Sequence, residues 1–228
     1  MTATLAPVQN RSARHVSRWL MAALLPIGPA LIAVLRLVLP YNTTDDSATV
    51  VAKVAAHQDT QSLVVWLGFA GALAIVPAVF WVARLARRGA PRLSAVALVL
   101  LVPGYVSLVL LVASDAALLF GVREHLDTAV LARLYDGMHP VMAVADGMFV
   151  VGHVVGTVLL GIALWLARAV PRWAAAATII AQPLHFVAAV IVANHPLDFV
   201  AWGLNAVGFA VAAVMILRGE ERLSDQAP

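Results

Sequence analysis

The sequence predicts an all-α fold, a six-helix transmembrane bundle, and three observations carry that reading. The 228 residues are 62% hydrophobic and only 12% charged, with a mean hydropathy of +0.92, far more apolar than a water-soluble domain of this length. The apolar residues gather into six runs of about 20 residues or more, the length that crosses a hydrocarbon core of about 30 Å. Arginines mark alternate boundaries of those runs, as membrane topology requires.

The first run, 18–40, follows Arg11, Arg14 and Arg18. It is long, contains Arg36, and ends in VLPYNTTDD with no small-residue cleavage pattern, so it reads as a retained helix and not a signal peptide. Pro26 and Pro29 in LLPIGPAL each remove a backbone hydrogen bond and mark a kink. Next, DDSATVVAKVAAHQD offers an acidic cap and apolar Val50, Val51, Val54 and Ala55 at helical spacing, predicting a short amphipathic helix. The second and third runs, 62–84 and 93–121, are joined by Arg84, Arg87, Arg88 and Arg92. LDTAVLARLYDGM then predicts a second short helix with Leu126, Val130 and Leu134 on its apolar face. The two short helices are expected to lie over the outer mouth of the bundle. The runs 140–167 and 172–194 are joined by Arg168 and Arg172, and Arg218 and Arg222 follow the run 197–217.

Eleven of the fifteen Lys and Arg therefore fall on one side, which the positive-inside rule assigns to the cytoplasm. The expected organisation is a basic cytoplasmic tail over 1–17, a transmembrane domain over 18–218 and a cytoplasmic tail over 219–228, in a plasma membrane. The formal charge of +3 and the pI near 9.9 are explained by these boundary arginines, so the lipid bilayer is the expected partner and nucleic acid is not. The absence of cysteine excludes disulfides, thiolate metal sites and cysteine nucleophiles. Two stretches, APRLSAVALVLLVPGY (90–105) and VPRWAAAATIIAQPLHF (170–186), match Pro91 to Pro171 and Pro103 to Pro183, the pattern of a duplicated hairpin, an arrangement seen in transporters.

Against this apolar background the polar residues stand out. His139, Asp146 and His153 recur every seven residues on the fourth run. His153 and His185, with Gln182 and Asn205, fall near mid-depth at 1.5 Å per residue. Arg36, Asp115 and Asp146 form a layer further out, and Asp198 and His139 lie nearer the surface, read as helix-start residues. Arg36 and Asp115, at matching depth, are the expected ion pair. Val150 is assigned to the face opposite the stripe. Gly152 and Gly156, about 100° from it, provide a close helix contact. All deep polar groups sit at mid-depth or outside it, which predicts a pocket open to the outer face with Asp146, His153, His185, Gln182, Asn205, Asp115 and Arg36 as its candidate residues.

No G-x-S-x-G, H-E-x-x-H, P-loop or dinucleotide fingerprint is present. VAKVAAHQDTQSLVVWLGFAGALAIVPAV (51–79) and GHVVGTVLLGIALWLARAVPRW (152–173) carry a further observation. Through them the chain resembles, over its whole length, bacterial multi-pass membrane proteins known as domains of unknown function, and this resemblance implies the class without a substrate. The residues themselves favour a transport or ligand-sensing protein, with a small cationic or protonatable ligand and proton linkage, over an enzyme. The alternatives are a metal- or haem-binding protein using His153 and His185 for redox or hydrolytic chemistry, and a structural or partner-binding subunit. No residue pattern specifies a cofactor or an oligomeric state.

Overall fold

The computed structural model describes residues 11–137 and 139–224; the ends of the predicted tails, 1–10 and 225–228, lie outside the described residues. The order is α1 (Arg11–Val38), α2 (Ser47–Ala56), α3 (Gln58–Ala86), α4 (Pro91–Arg123), α5 (Thr128–Gly137), α6 (Val141–Leu166), α7 (Arg172–Phe186), a π-helical turn (Val187–Ile191) and α8 (His195–Ser224). Six of these are long and apolar enough to cross a membrane, α7 counting together with its π-helical turn. The described residues form a multi-pass helical bundle without strands. Its outer surface is apolar, with Trp66, Val99, Phe120 and Leu166 exposed, as lipid-facing positions are.

The six long helices close into a ring in chain order. α1 packs on α3, α3 on α4, α4 on α6, α6 on α7, α7 on α8, and α8 returns to α1. α3 also reaches across to α6 and α8. One end of the ring carries the arginine-bearing turns; the other is capped by α2 and α5. Asp46 starts α2 by accepting from the Thr49 amide at 2.8 Å, and Asp127 accepts from the Val130 amide at 3.0 Å at the start of α5. These short side chains satisfy amides that the first helical turn leaves unpaired.

Val50, Val51 and Val54 are buried under the cap as expected, whereas Ala55 is exposed. On α5 the expected face is corrected. Leu126, Val130 and Leu134 point outward and Leu131 is buried, because Leu131 inserts against Gly121 of α4, where no side chain blocks it. A close interhelical approach joins α4 to α6. A Cβ on Gly152 would lie 2.6 Å from the Leu100 carbonyl oxygen and 2.9 Å from the Gly104 Cα, so only glycine fits and the two backbones touch.

Candidate functional site

At the capped end the ring encloses a cavity of about 490 Å³, lined from α1, α4, α6, α7 and α8 and roofed by the α1–α2 loop and α5. Arg36, Asp115, Asp146, His153 and His185 all line it. Gln182 and Asn205 do not line it and are fully buried. His139 is exposed at the start of α6, where its Nδ1 accepts from the Val141 amide at 3.3 Å.

The floor is a stack of rings. His153 lies 4.2 Å from Phe149 and 5.9 Å from Trp202, centroid to centroid and nearly parallel to both, with His185 at 5.2 Å. Its Nδ1–H donates to the Phe149 carbonyl, one turn back on the same helix, at 2.5 Å. This tautomer leaves Nε2 as an acceptor, and that atom is enclosed without a partner.

His185 is held differently. Its Nδ1–H donates to Asp198 at 2.5 Å, and the other oxygen of Asp198 accepts from Arg36 Nε. Arg36 Nη2 in turn donates to Thr43 Oγ1 at 3.0 Å. Asp198 is 1% exposed, so one carboxylate on α8 ties together an arginine on α1 and a histidine on α7.

This overturns the expected Arg36–Asp115 ion pair. α1 packs on α3 and α8 and does not touch α4, so Arg36 reaches Asp198 instead. Asp115 accepts from the Tyr41 hydroxyl at 2.7 Å and has no ion pair among the described residues. Asp198 is more than a helix-start residue, and it is the member of the site that sequence reasoning missed. Its position in the first turn of a helix explains it locally, and nothing local signals a partner 162 residues away. Val150 also needs correction. Four residues after Asp146 and three before His153, it lies about 40–60° from the stripe at 3.6 residues per turn, and it lines the cavity. Val151, 55% exposed, is the lipid-facing position.

The roof is pinned by hydrogen bonds. Ser47 of α2 donates to Asp136 of α5, and Lys53 pairs with Asp45 at 2.6 Å. That Lys53 hydrogen bond holds the Asp45 carboxyl below its ordinary range. Burial, then the charge of Asp115, pushes the Tyr41 hydroxyl well up, and burial pushes Tyr135 up to about 12. Both phenols therefore stay neutral donors at physiological pH.

Beneath the floor, Tyr105 and Thr157 share a hydrogen bond of 3.4 Å. The amide nitrogens and oxygens of Gln182 and Asn205 and the Trp202 Nε1 are enclosed and unpartnered. Asn205 faces the Tyr105 hydroxyl without reaching hydrogen-bond geometry.

For a metal, the site offers two imidazole Nε2 atoms. Among the described residues no group of three or more His, Asp or Glu stands at metal-holding spacing, so a metal would draw the rest of its shell from the cavity. The enclosed Nε2 of His153 does not suit it as an open axial ligand for haem.

Fold and site together define a multi-pass membrane bundle with a ligand-sized cavity at one end, apolar over most of its wall and set with charged side chains. Comparison with protein-family models, curated proteins and solved structures finds no match for this chain.

Proposed function

We propose that the cavity binds a small cationic or protonatable molecule arriving from the outer face of the membrane, and that the bundle transports or senses it. One observation carries this reading. Asp115 and Asp146 line a ligand-sized cavity without an ion pair among the described residues, while Arg36, the cation beside them, is already matched by Asp198. Carboxylates at membrane depth are costly unless they serve a pathway or ligand. Trp202, Phe149, Phe186, Tyr41 and Tyr135 add aromatic surface to the same lining, and aromatic faces attract cations.

The outer direction rests on the arginines of the α3–α4 and α6–α7 turns and the end of α8, all opposite the cap. Cysteines introduced at Thr44 and Asp127 should react with an impermeant thiol reagent on intact cells, and cysteines at Arg88 and Ser224 should not; the reverse pattern inverts the bundle.

The binding test uses tetraethylammonium, a permanent cation of suitable size, on the purified full chain. Calorimetry should detect saturable binding that Asp146→Asn and Asp115→Asn each weaken at least about tenfold, the scale of one lost charge contact. Binding indifferent to both substitutions sinks the reading.

A further inference from the structure

We infer that His185 is a proton-binding site set against the cationic ligand, so that the bundle exchanges a proton on His185 Nε2 for a cation in the cavity. The inference rests on the cavity reading above and adds the second participant.

The rings of the two histidines lie 5.2 Å apart but differ in their surroundings. His153 donates to a backbone carbonyl, is walled by Phe149 and Trp202, and has its remaining nitrogen enclosed. A proton on that nitrogen would be a charge with no counter-ion in contact and no water. His185 has both. Its Nδ1–H is held by a carboxylate, its ring lines the cavity, and its Nε2 has no hydrogen-bond partner among the described residues. A carboxylate behind an imidazole fixes the tautomer and makes the far nitrogen the basic one.

Asp198 does not serve His185 alone. It is shared with Arg36, so with neutral His185 the Arg36–Asp198–His185 group has no net charge. Adding a proton at Nε2 makes the group +1, facing the space in which a cation would sit. The groups turned toward that space are Arg36 from α1, Asp115 from α4, Asp146 and His153 from α6, Tyr135 and Asp136 from α5, and Tyr41 and Asp45 from the α1–α2 loop. Among them Asp115, Asp136 and Asp146 have no ion pair among the described residues and supply negative charge, which a ligand cation and a protonated His185 then compete to offset. When the cation enters, the proton leaves Nε2 for cavity water and the nitrogen recovers its lone pair. The charge of the cavity is the same before and after.

The coupling is reciprocal, so proton binding must weaken cation binding by the factor that cation binding weakens proton binding. Tetraethylammonium carries no titrating group, which assigns any pH dependence to the protein. Its Kd on the purified full chain should rise as pH falls through about 8 to 5, the imidazole window. The rise should reach up to tenfold per pH unit and level off after a total of roughly 5- to 150-fold. Calorimetry of the wild-type chain in two buffers of different ionisation heat should count protons released on binding, at most one per cation, peaking where the Kd slope is steepest and falling away where Kd levels off. His185→Gln keeps an N–H for Asp198 and should give a flat Kd across the window, whatever its own affinity. Asp146→Asn should weaken binding yet retain the pH slope.

Binding of tetraethylammonium with no pH slope and no proton release overturns the exchange while leaving the cavity reading intact. A slope that persists in His185→Gln also overturns it, because a carboxylate is then the proton site. Absence of tetraethylammonium binding at every pH removes both readings. Should His185→Gln fail to fold, His185→Asn, whose amide can stand where Nδ1–H donates to Asp198, is read in the same way: a flat Kd is expected and a persisting slope overturns the exchange.

Discussion

In the arginine-rich half of the bundle the helices meet through small side chains: Ala83, Ala86, Ala97, Ala163, Ala174 and Ala175 are each fully enclosed. In the capped half the same helices meet around Arg36, Asp115, His153, His185 and Asp198, with a cavity between them. Apolar side chains gain nothing by leaving lipid for one another, so the first half is stabilised by close backbone approach and dense contact. The second half carries charges that lipid depth makes costly and offsets them by pairing. Close packing and charge pairing are thus divided between opposite ends of the same helices, and substitutions should reveal the division.

The largest effect belongs to the capped half. Asp198→Ala leaves Arg36 and His185 without their shared carboxylate and should cost about 3–5 kcal/mol, the loss typical of breaking a buried pair from one side. Adding Arg36→Leu should recover part of that loss. Reversible unfolding of the single and double variants in mixed micelles measures it, and simple additivity would show that the two residues act independently.

The next effect tests the packed helices. Gly152→Val forces a side chain into the Gly104 backbone and should cost about 1–3 kcal/mol by overpacking. Gly147, one turn away with open space around it, is the control. Gly147→Ala should be neutral or should stabilise by up to about 1 kcal/mol through helix propensity. Equal losses at both positions in the same unfolding assay would contradict the close α4–α6 contact.

The smallest effect falls on the boundary between the halves. The amide groups of Gln182 and Asn205 make no hydrogen bonds, so Gln182→Leu and Asn205→Leu should change stability by less than about 1 kcal/mol or raise it, since no partner is orphaned. A loss of several kcal/mol in either would mean that these amides are partnered within the bundle, for instance by internal water.

Much of this division is legible in the sequence. Hydropathy and arginine placement locate the six spans to within a few residues, and the seven-residue stripe on α6 leads to the cavity wall through Asp146 and His153. Gly152 and Gly156 announce a tight contact. What the sequence does not carry is direction around the ring. Depth follows from residue count, and Arg36 and Asp115 do line one cavity, but height says nothing about which helices adjoin. α1 neighbours α8 and not α4, and the pairing changes accordingly. The error at Val150 is of the same kind, an angle misjudged on a helix whose depth was right. On α5, Leu131 rather than Leu126, Val130 and Leu134 turns inward because a glycine on another helix leaves room for it, a fact outside any local pattern.

The ring closes between its first and last helices, and the clasp is the contact of Arg36 with Asp198, 162 residues apart. A chain emerges from the ribosome amino end first, so the arginine of α1 and the histidine of α7 are both made before their common carboxylate. Until α8 joins, the membrane holds an arginine without its counter-ion and a bundle with an open seam. The residue that completes the candidate proton site is therefore also the one that completes the assembly. A nascent chain interrupted before α8 would display an unmatched charge within the bilayer, a signature by which the unfinished molecule differs from the finished one.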